Sequence, residues 1–121
     1  MRRRLMKSKI HRATLTATEL HYPGSLTVAV DLMAAADLVE NEEVQVVNIN
    51  NGSRLVTYVI PGPAGSGVIQ LNGAAARHGM PGDLVIVIAY ADVDESEVPG
   101  FRPAVVHVDD ANRIVPTPQH G

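Results

Sequence analysis

His21-Tyr22-Pro23-Gly24-Ser25-Leu26-Thr27-Val28-Ala29-Val30 reads as a turn that runs straight into a strand. Pro23 presets φ for the second position of a turn and Gly24 supplies φ > 0 for the third, so the pair predicts a type II turn. Leu26 to Val30 alternates and carries branched residues, which makes Ser25 the mouth of a β-strand. The Ser25 hydroxyl follows a residue that bends freely, so it can attack the carbonyl carbon of Gly24 itself. Gly52-Ser53 and Gly65-Ser66 repeat the dipeptide, and only its surroundings give the first pair meaning.

Outward from this stretch the chain reads as short strands. Lys9 to Thr18 predicts a strand before the turn, with Lys7, Lys9 and His11 on one face. Asp31 is the expected N-cap of a short helix, Leu32 to Leu38. Val44 to Ile49 and Arg54 to Ile60 are strands joined by the hairpin signal Asn50-Asn51-Gly52. Period 2 puts Arg54, Val56 and Tyr58 on one face and Thr57 on the other. Pro61 to Gly67 is a loop that lacks the Lys and Ser/Thr of a phosphate-binding loop. Val68 to Leu71 is a strand, and Asn72 to His78 a turn into one or two helical turns. Leu84 to Ala89 is the most continuous apolar run, expected to be the most buried strand. Asp92 to Glu97 is acidic and expected to be exposed. Ala104 to Val108 is the last expected strand, followed by a polar tail with Pro116 and Pro118. Many short strands and two short helices predict a mainly β, small closed barrel, in which closure removes exposed edges.

Composition bounds the function. A chain of 121 residues, 45% of them hydrophobic, suits one domain over 1–121. Aromatic residues make up only 3% and net charge is −3, which argues against nucleic acid as a partner. Arg2-Arg3-Arg4 reads as a solvated terminus. The absence of cysteine excludes disulfides, thiolate zinc sites and thiol nucleophiles. The five histidines lack helical ligand spacing, so no metal is expected. No Gly-x-Ser-x-Gly elbow is present for a Ser-His-Asp hydrolase. No apolar run has the length of a membrane span, and the basic start has no apolar segment behind it, so no membrane contact and a cytoplasmic location are expected.

Taken in order, the motifs are far more specific than any one of them. Lys9-Ile10-His11-Arg12, Leu20-His21-Tyr22-x-Gly24-Ser25, Glu40-Asn41-Glu42, Asn51-Gly52-x-Arg54, Thr57-Tyr58, Asn72-Gly73-Ala74-Ala75-Ala76 and Gly82-Asp83 stand as ordered anchors. With them the chain, from about Met6 to Phe101, resembles the L-aspartate α-decarboxylase family of pyruvoyl enzymes. Pro23 fills a position that varies in the family, and Val47 stands where some relatives carry an aromatic residue.

The resemblance implies a six-stranded double-psi β-barrel with short helices, and a homotetramer with active sites between subunits. It implies autocatalytic cleavage between Gly24 and Ser25, giving a β chain 1–24 and an α chain 25–121 that starts with a pyruvoyl group made from Ser25. The activity implied is decarboxylation of L-aspartate to β-alanine and CO₂, for pantothenate and coenzyme A. The pyruvoyl ketone condenses with the substrate amine and acts as the electron sink. Processing would use Gly24, Ser25 and Thr57, with Thr57 a partner of the Gly24 carbonyl. Arg54 would clamp a substrate carboxylate bidentately, and Lys9 would help place the other. Tyr58 would be the proton donor to the carbanion. Asn72 would orient the pyruvoyl oxygen, Gly73, Ala74 and Ala75 would offer backbone N–H groups, and Tyr22 and His11 would line the pocket. Because Thr57 and Tyr58 point to opposite faces of a strand, a bulge or strong curvature is expected if both serve one site.

Two other classes remain open on the residues alone. A small barrel can be a pure binding module, like the swapped barrels of transcription factors, and would then stay one intact chain. A relative that had lost processing would serve as a structural or regulatory subunit; Gly24-Ser25, Arg54 and Tyr58 argue against that.

Overall fold

Alternating valine, isoleucine and leucine build about half of this molecule as strand, and a computed structural model of the chain describes residues 1–117. In chain order the elements are β1 (Arg2–Thr14), β2 (Ala17–Glu19), β3 (Ser25–Ala29), α1 (Val30–Ala35), β4 (Glu43–Asn48), β5 (Arg54–Gly62), β6 (Ile69–Asn72), β7 (Leu84–Asp94), β8 (Ala104–Val108) and β9 (Ile114–Val115). Two 3-10 helices, Gly73–His78 and Glu95–Gly100, flank β7. Pro118 of the predicted tail lies outside the described residues.

The strands form one sheet in the order β2-β6-β3-β5-β4-β7-β1-β8-β9. β1 pairs antiparallel with β7 and parallel with β8, and β3 pairs parallel with β5 and antiparallel with β6. The expected mainly β fold is therefore the one found. Six strands have five residues or more (β1, β3, β4, β5, β7, β8), and β2, β6 and β9 are shorter. One side of the sheet buries Ile10, Leu26, Val28, Val44, Val46, Val59, Leu71, Val85 and Val87 in a single core with Leu32 and Met33 of α1. Removing those side chains from water is the main stabilisation, roughly 1.5–3 kcal/mol for each large aliphatic residue.

Several local expectations give way to tertiary contacts. The strand predicted over Lys9 to Thr18 is two strands. Leu15 N–H donates to Asp83 O at 2.8 Å and Thr16 N–H to Ile69 O at 2.8 Å, so the backbone changes partners there. Arg2-Arg3-Arg4 is the start of β1, aligned antiparallel with Asp94, Val93 and Asp92, and Arg3 meets Glu95 at 2.9 Å. A register shift between Met6 and Ser8 takes Lys7 out of the period shared by Lys9 and His11, and Lys7 Nζ bonds Glu42 Oε2 at 2.6 Å instead. Asp31 is not the cap of α1. The helix starts directly from β3 with Ala29 at the cap, and Asp31 Oδ1 accepts the Gly65 N–H at 2.9 Å. β7 is not buried on both faces: Val85, Val87 and Ala89 face the core, while Leu84, Ile86 and Ile88 stay half-buried on an outer face.

Candidate active site at Gly24–Ser25

The antiparallel register of β3 and β6 sets Ser25 directly opposite Asn72. Burial of Leu26, Val28, Ile69 and Leu71 on the core side fixes that register, because a one-residue slip would turn those side chains outward. Asn72 is 0% exposed and fully used. Its Nδ2 donates to Ser25 Oγ at 2.9 Å and to Thr27 Oγ1 at 2.8 Å, and its Oδ1 accepts from Gln70 Nε2 at 2.7 Å. Ser25 Oγ donates to the Pro23 carbonyl at 3.1 Å. The hydroxyl is therefore held from two sides and 1% exposed, while His21 to Gly24 lie exposed before it.

The glycine that this geometry demands is Gly73. Its φ is +64°, and a Cβ there would stand 2.5 Å from Tyr22 O and 2.8 Å from both Cα and N of Gly24. Gly24 has no left-handed φ, and a Cβ on it would meet only Asn72 O at 4.0 Å. The predicted type II turn, which needs φ > 0 at Gly24, is thus not formed. Close packing of the Tyr22–Gly24 backbone on Gly73 overrides the local Pro-Gly preference. Tyr22 sits in this bend, 50% exposed.

β3 runs parallel to β5 with Leu26 opposite Val59, so Tyr58 and Thr57 lie toward the Ser25 end of β3, and Thr57 and Gly24 line one cleft. β5 pairs with β4 from Arg54 to Tyr58 in unbroken register. The bulge expected if Thr57 and Tyr58 serve one site is not formed between them. Thr57 lines a cleft of about 270 Å³ with Gly24, Leu55, Val56, Ala74, Ala75 and His78. Tyr58, 37% exposed, lines an adjoining groove of about 510 Å³ with Asn41, Glu43, Val56 and Thr57, so Val56 and Thr57 border both hollows. A hollow of about 470 Å³ between Arg4, Glu42, Glu43, Val44, Gln45 and Tyr90 contains none of the predicted site residues.

Lys9, His11 and Arg54 are not brought to Ser25 within one chain. Arg54 is four residues from Tyr58 on β5, roughly 13 Å along the strand. Its Nη1 donates to Gln45 Oε1 at 2.8 Å. β1 is separated from β5 by β4 and β7, which puts Lys9 roughly 14 Å from β5 across the sheet, with Ser25 one strand further on β3. Gln45 and Lys9 both pair with Ile88, so Arg54 and Lys9 belong to neighbouring rows of the same outer face. That face also carries Val47, Ile86 and Ile88, and Val56 at 58% exposure. His11 pairs with His107 across β1 and β8, ring edge to ring face at 5.4 Å, and its buried Nδ1 has no hydrogen-bond partner among the described residues. Burial, then the charges of Lys9, His107 and Arg12, hold its pKa below the ordinary value.

Two polar residues beside the site escape the sequence reading. Ser53 Oγ lies 2.5 Å from His78 Nδ1; Ser53 follows the hairpin signal and His78 ends the predicted helical turns, and neither is singled out by a motif. The Asn51-Gly52 signal locates that hairpin but not the strand end it meets.

The family model described as Aspartate decarboxylase matches residues 1–115. Aspartate 1-decarboxylase of Heliobacterium modesticaldum is 60% identical over 115 residues, covering 95% of this chain and 87% of the relative. The enzyme of the same name from Pelotomaculum thermopropionicum is 62% identical over 111 residues, covering 92% and 84%. That from Moorella thermoacetica is 59% identical over 114 residues, covering 94% and 89%.

Proposed function

The chain belongs to the aspartate decarboxylase family, whose fold is the double-psi β-barrel, and from that premise we propose that it cleaves itself at Gly24–Ser25 and then decarboxylates L-aspartate to β-alanine. The observation that carries the reading is the buried Ser25 hydroxyl, clamped by Asn72 directly after an exposed glycine.

In processing, Ser25 Oγ bonds to the Gly24 carbonyl carbon as that carbon's bond to the Ser25 nitrogen breaks, giving an ester. Loss of the Ser25 α-proton and cleavage of the Cβ–Oγ bond release 1–24 as a carboxylate and leave dehydroalanine. One water then displaces ammonia and leaves a pyruvoyl group at the head of 25–121. Asn72 aims Oγ, and Thr57, which lines the same cleft as Gly24, serves as the partner of the scissile carbonyl.

The residues present fit a pyruvoyl group. Ser25 is the first residue of a strand, buried, with a side-chain amide donor facing it and an exposed segment before it. When formed, the group supplies the electron sink that decarboxylation requires. This chain's residues then bind and orient the substrate. Tyr58, on the strand beside Ser25, gives a proton to the carbon that loses CO₂. Arg54 takes a carboxylate through two parallel hydrogen bonds once it releases Gln45. Because Arg54, Lys9 and His11 lie far from Ser25 in their own chain, they serve the site of a neighbouring copy. The half-apolar outer face around Val47, Val56, Ile86 and Ile88 supports assembly there into a homotetramer, and the unpartnered His11 Nδ1 supports the same reading.

Intact-mass measurement tests the proposal. Wild type is expected as chains of 1–24 and 25–121, the latter bearing a ketone in place of its amine, and Ser25→Ala as one uncut chain. Cleavage of Ser25→Ala at the same bond would sink the hydroxyl mechanism. Aspartate-dependent CO₂ release by the processed protein tests the activity.

A further inference from the structure

We propose that Gln70 is a positioning residue of self-cleavage: its amide N–H fixes which way the Asn72 side chain faces and so keeps a donor on Ser25 Oγ. The inference rests on the processing reading above. β3 and β6 alternate against each other. Leu26 opposite Leu71 and Val28 opposite Ile69 are buried in the core. Ser25 opposite Asn72 and Thr27 opposite Gln70 therefore share the other face, as a square of four polar side chains. Ser25 and Asn72 are buried there, and Thr27 and Gln70 are half-buried.

The square is closed by hydrogen bonds. Gln70 Nε2 donates to Asn72 Oδ1 at 2.7 Å. Asn72 Nδ2 gives one N–H to Ser25 Oγ at 2.9 Å and the other to Thr27 Oγ1 at 2.8 Å. The oxygen and nitrogen ends of an asparagine amide have nearly the same shape, so packing does not choose between them. The two hydroxyls do not choose either, because a hydroxyl donates or accepts. Gln70 does: with its N–H on Oδ1, turning Asn72 over would set N–H against N–H, so the two amides can only turn over together.

Cleavage makes that choice matter. In the uncut chain Ser25 Oγ still has its proton, which it donates to the Pro23 carbonyl at 3.1 Å. Once Oγ has joined the Gly24 carbon it carries no proton and can only accept. An Asn72 N–H facing it makes a hydrogen bond, whereas Asn72 Oδ1 facing it would set two acceptors together. When the Cβ–Oγ bond then breaks, Oγ leaves as a carboxylate oxygen of 1–24, and the N–H held on it stabilises the charge.

The test follows freshly translated full-length chain by intact mass as it converts to 1–24 and 25–121. Gln70→Met keeps the length but offers no donor, and should convert roughly two- to tenfold more slowly than wild type, the worth of one neutral hydrogen bond. Gln70→Glu keeps the shape but only accepts, so it draws Asn72 Nδ2 to itself and turns Oδ1 toward Ser25. It should convert about 10- to 100-fold more slowly, the range for a charged partner. Gln70→Lys restores a donor and should convert faster than Gln70→Met. A packing role would give the reverse order, with Gln70→Glu nearest wild type. Thermal melts of the same substitutions in a Ser25→Ala background establish that each chain folds. If Gln70→Glu does not fold, the comparison of Gln70→Lys with Gln70→Met decides. Wild-type conversion of Gln70→Met overturns the proposal. So does a folded Gln70→Glu that converts as fast as Gln70→Met, or a Gln70→Lys that converts no faster. A wild-type chain that stays whole overturns the processing reading itself, and is thereby distinguished from failure at Gln70.

Discussion

Asn72 Nδ2 stands 2.9 Å from Ser25 Oγ and 2.8 Å from Thr27 Oγ1, so one amide aligns two hydroxyls on the neighbouring strand. The pairing crosses 47 residues of sequence and is closed to solvent. Removing it leaves two hydroxyls and the Gln70 amide without their partner. Asn72→Ala is expected to lower stability by about 1–3 kcal/mol, the cost of unsatisfied buried polar groups. It should also slow conversion to 1–24 and 25–121. Urea unfolding and intact mass, measured on the same preparation, check both. Wild-type cleavage in Asn72→Ala would separate the amide from aiming of Oγ.

Two glycines of the site should respond in opposite ways. At Gly73 a methyl group meets backbone at 2.5–2.8 Å, with φ at +64°. At Gly24 the nearest atom is 4.0 Å away and the backbone conformation suits any residue. Gly73→Ala is expected to lose at least about 1 kcal/mol from the strained backbone alone. Gly24→Ala should unfold within about 0.5 kcal/mol of wild type. Thermal melts of both, made in a Ser25→Ala background so that no cut intervenes, provide the comparison. Equal melting temperatures would show that the Tyr22–Gly24 segment does not pack on Gly73.

The distance of Arg54 from Ser25 makes a prediction about mixed assemblies. Ser25→Ala subunits lack the pyruvoyl group, and Arg54→Ala subunits lack the clamp. Each alone should decarboxylate aspartate poorly. Co-expressed, they should recover activity well above either, because some sites combine a processed Ser25 from one copy with Arg54 of another. Activity no greater than the separate proteins would mean that one chain supplies both.

His11 provides a test of pH dependence. Burial, with Lys9, His107 and Arg12 nearby, lowers its pKa from the ordinary 6.5. The unfolded chain therefore binds this proton more readily than the folded one. The linked stability is present above pH 6.5 and is lost as pH falls through the lowered value. His11→Gln removes this dependence. Its unfolding free energy, followed by urea titration from roughly pH 7 to pH 5, should fall less steeply than that of wild type. Parallel curves for the two proteins would place the acid sensitivity elsewhere.

The sequence by itself determined the strand-rich character, the positions of β3, β5 and β8, and the hairpin at Asn51-Gly52. Those depend on period-2 alternation and on turn chemistry carried by adjacent residues. It also yielded the Gly24-Ser25 pair, through motifs whose order is specific. Only the tertiary structure decided the rest. The Pro23-Gly24 turn lost to packing against Gly73, the Asp31 cap to a helix that begins directly from β3, and the period of Lys7 to a register shift and the Glu42 carboxylate. Thr57 and Tyr58 take opposite sides of β5 by strand alternation, and β5 lies beside the Ser25 end of β3 because the two run parallel with Leu26 against Val59. That register is set by burial of a shared core across more than thirty residues of chain, and the same long-range packing brings His78 to Ser53 and Asn72 to Ser25. Local periodicity specifies which face a side chain takes, but only the closing of the sheet specifies what it faces.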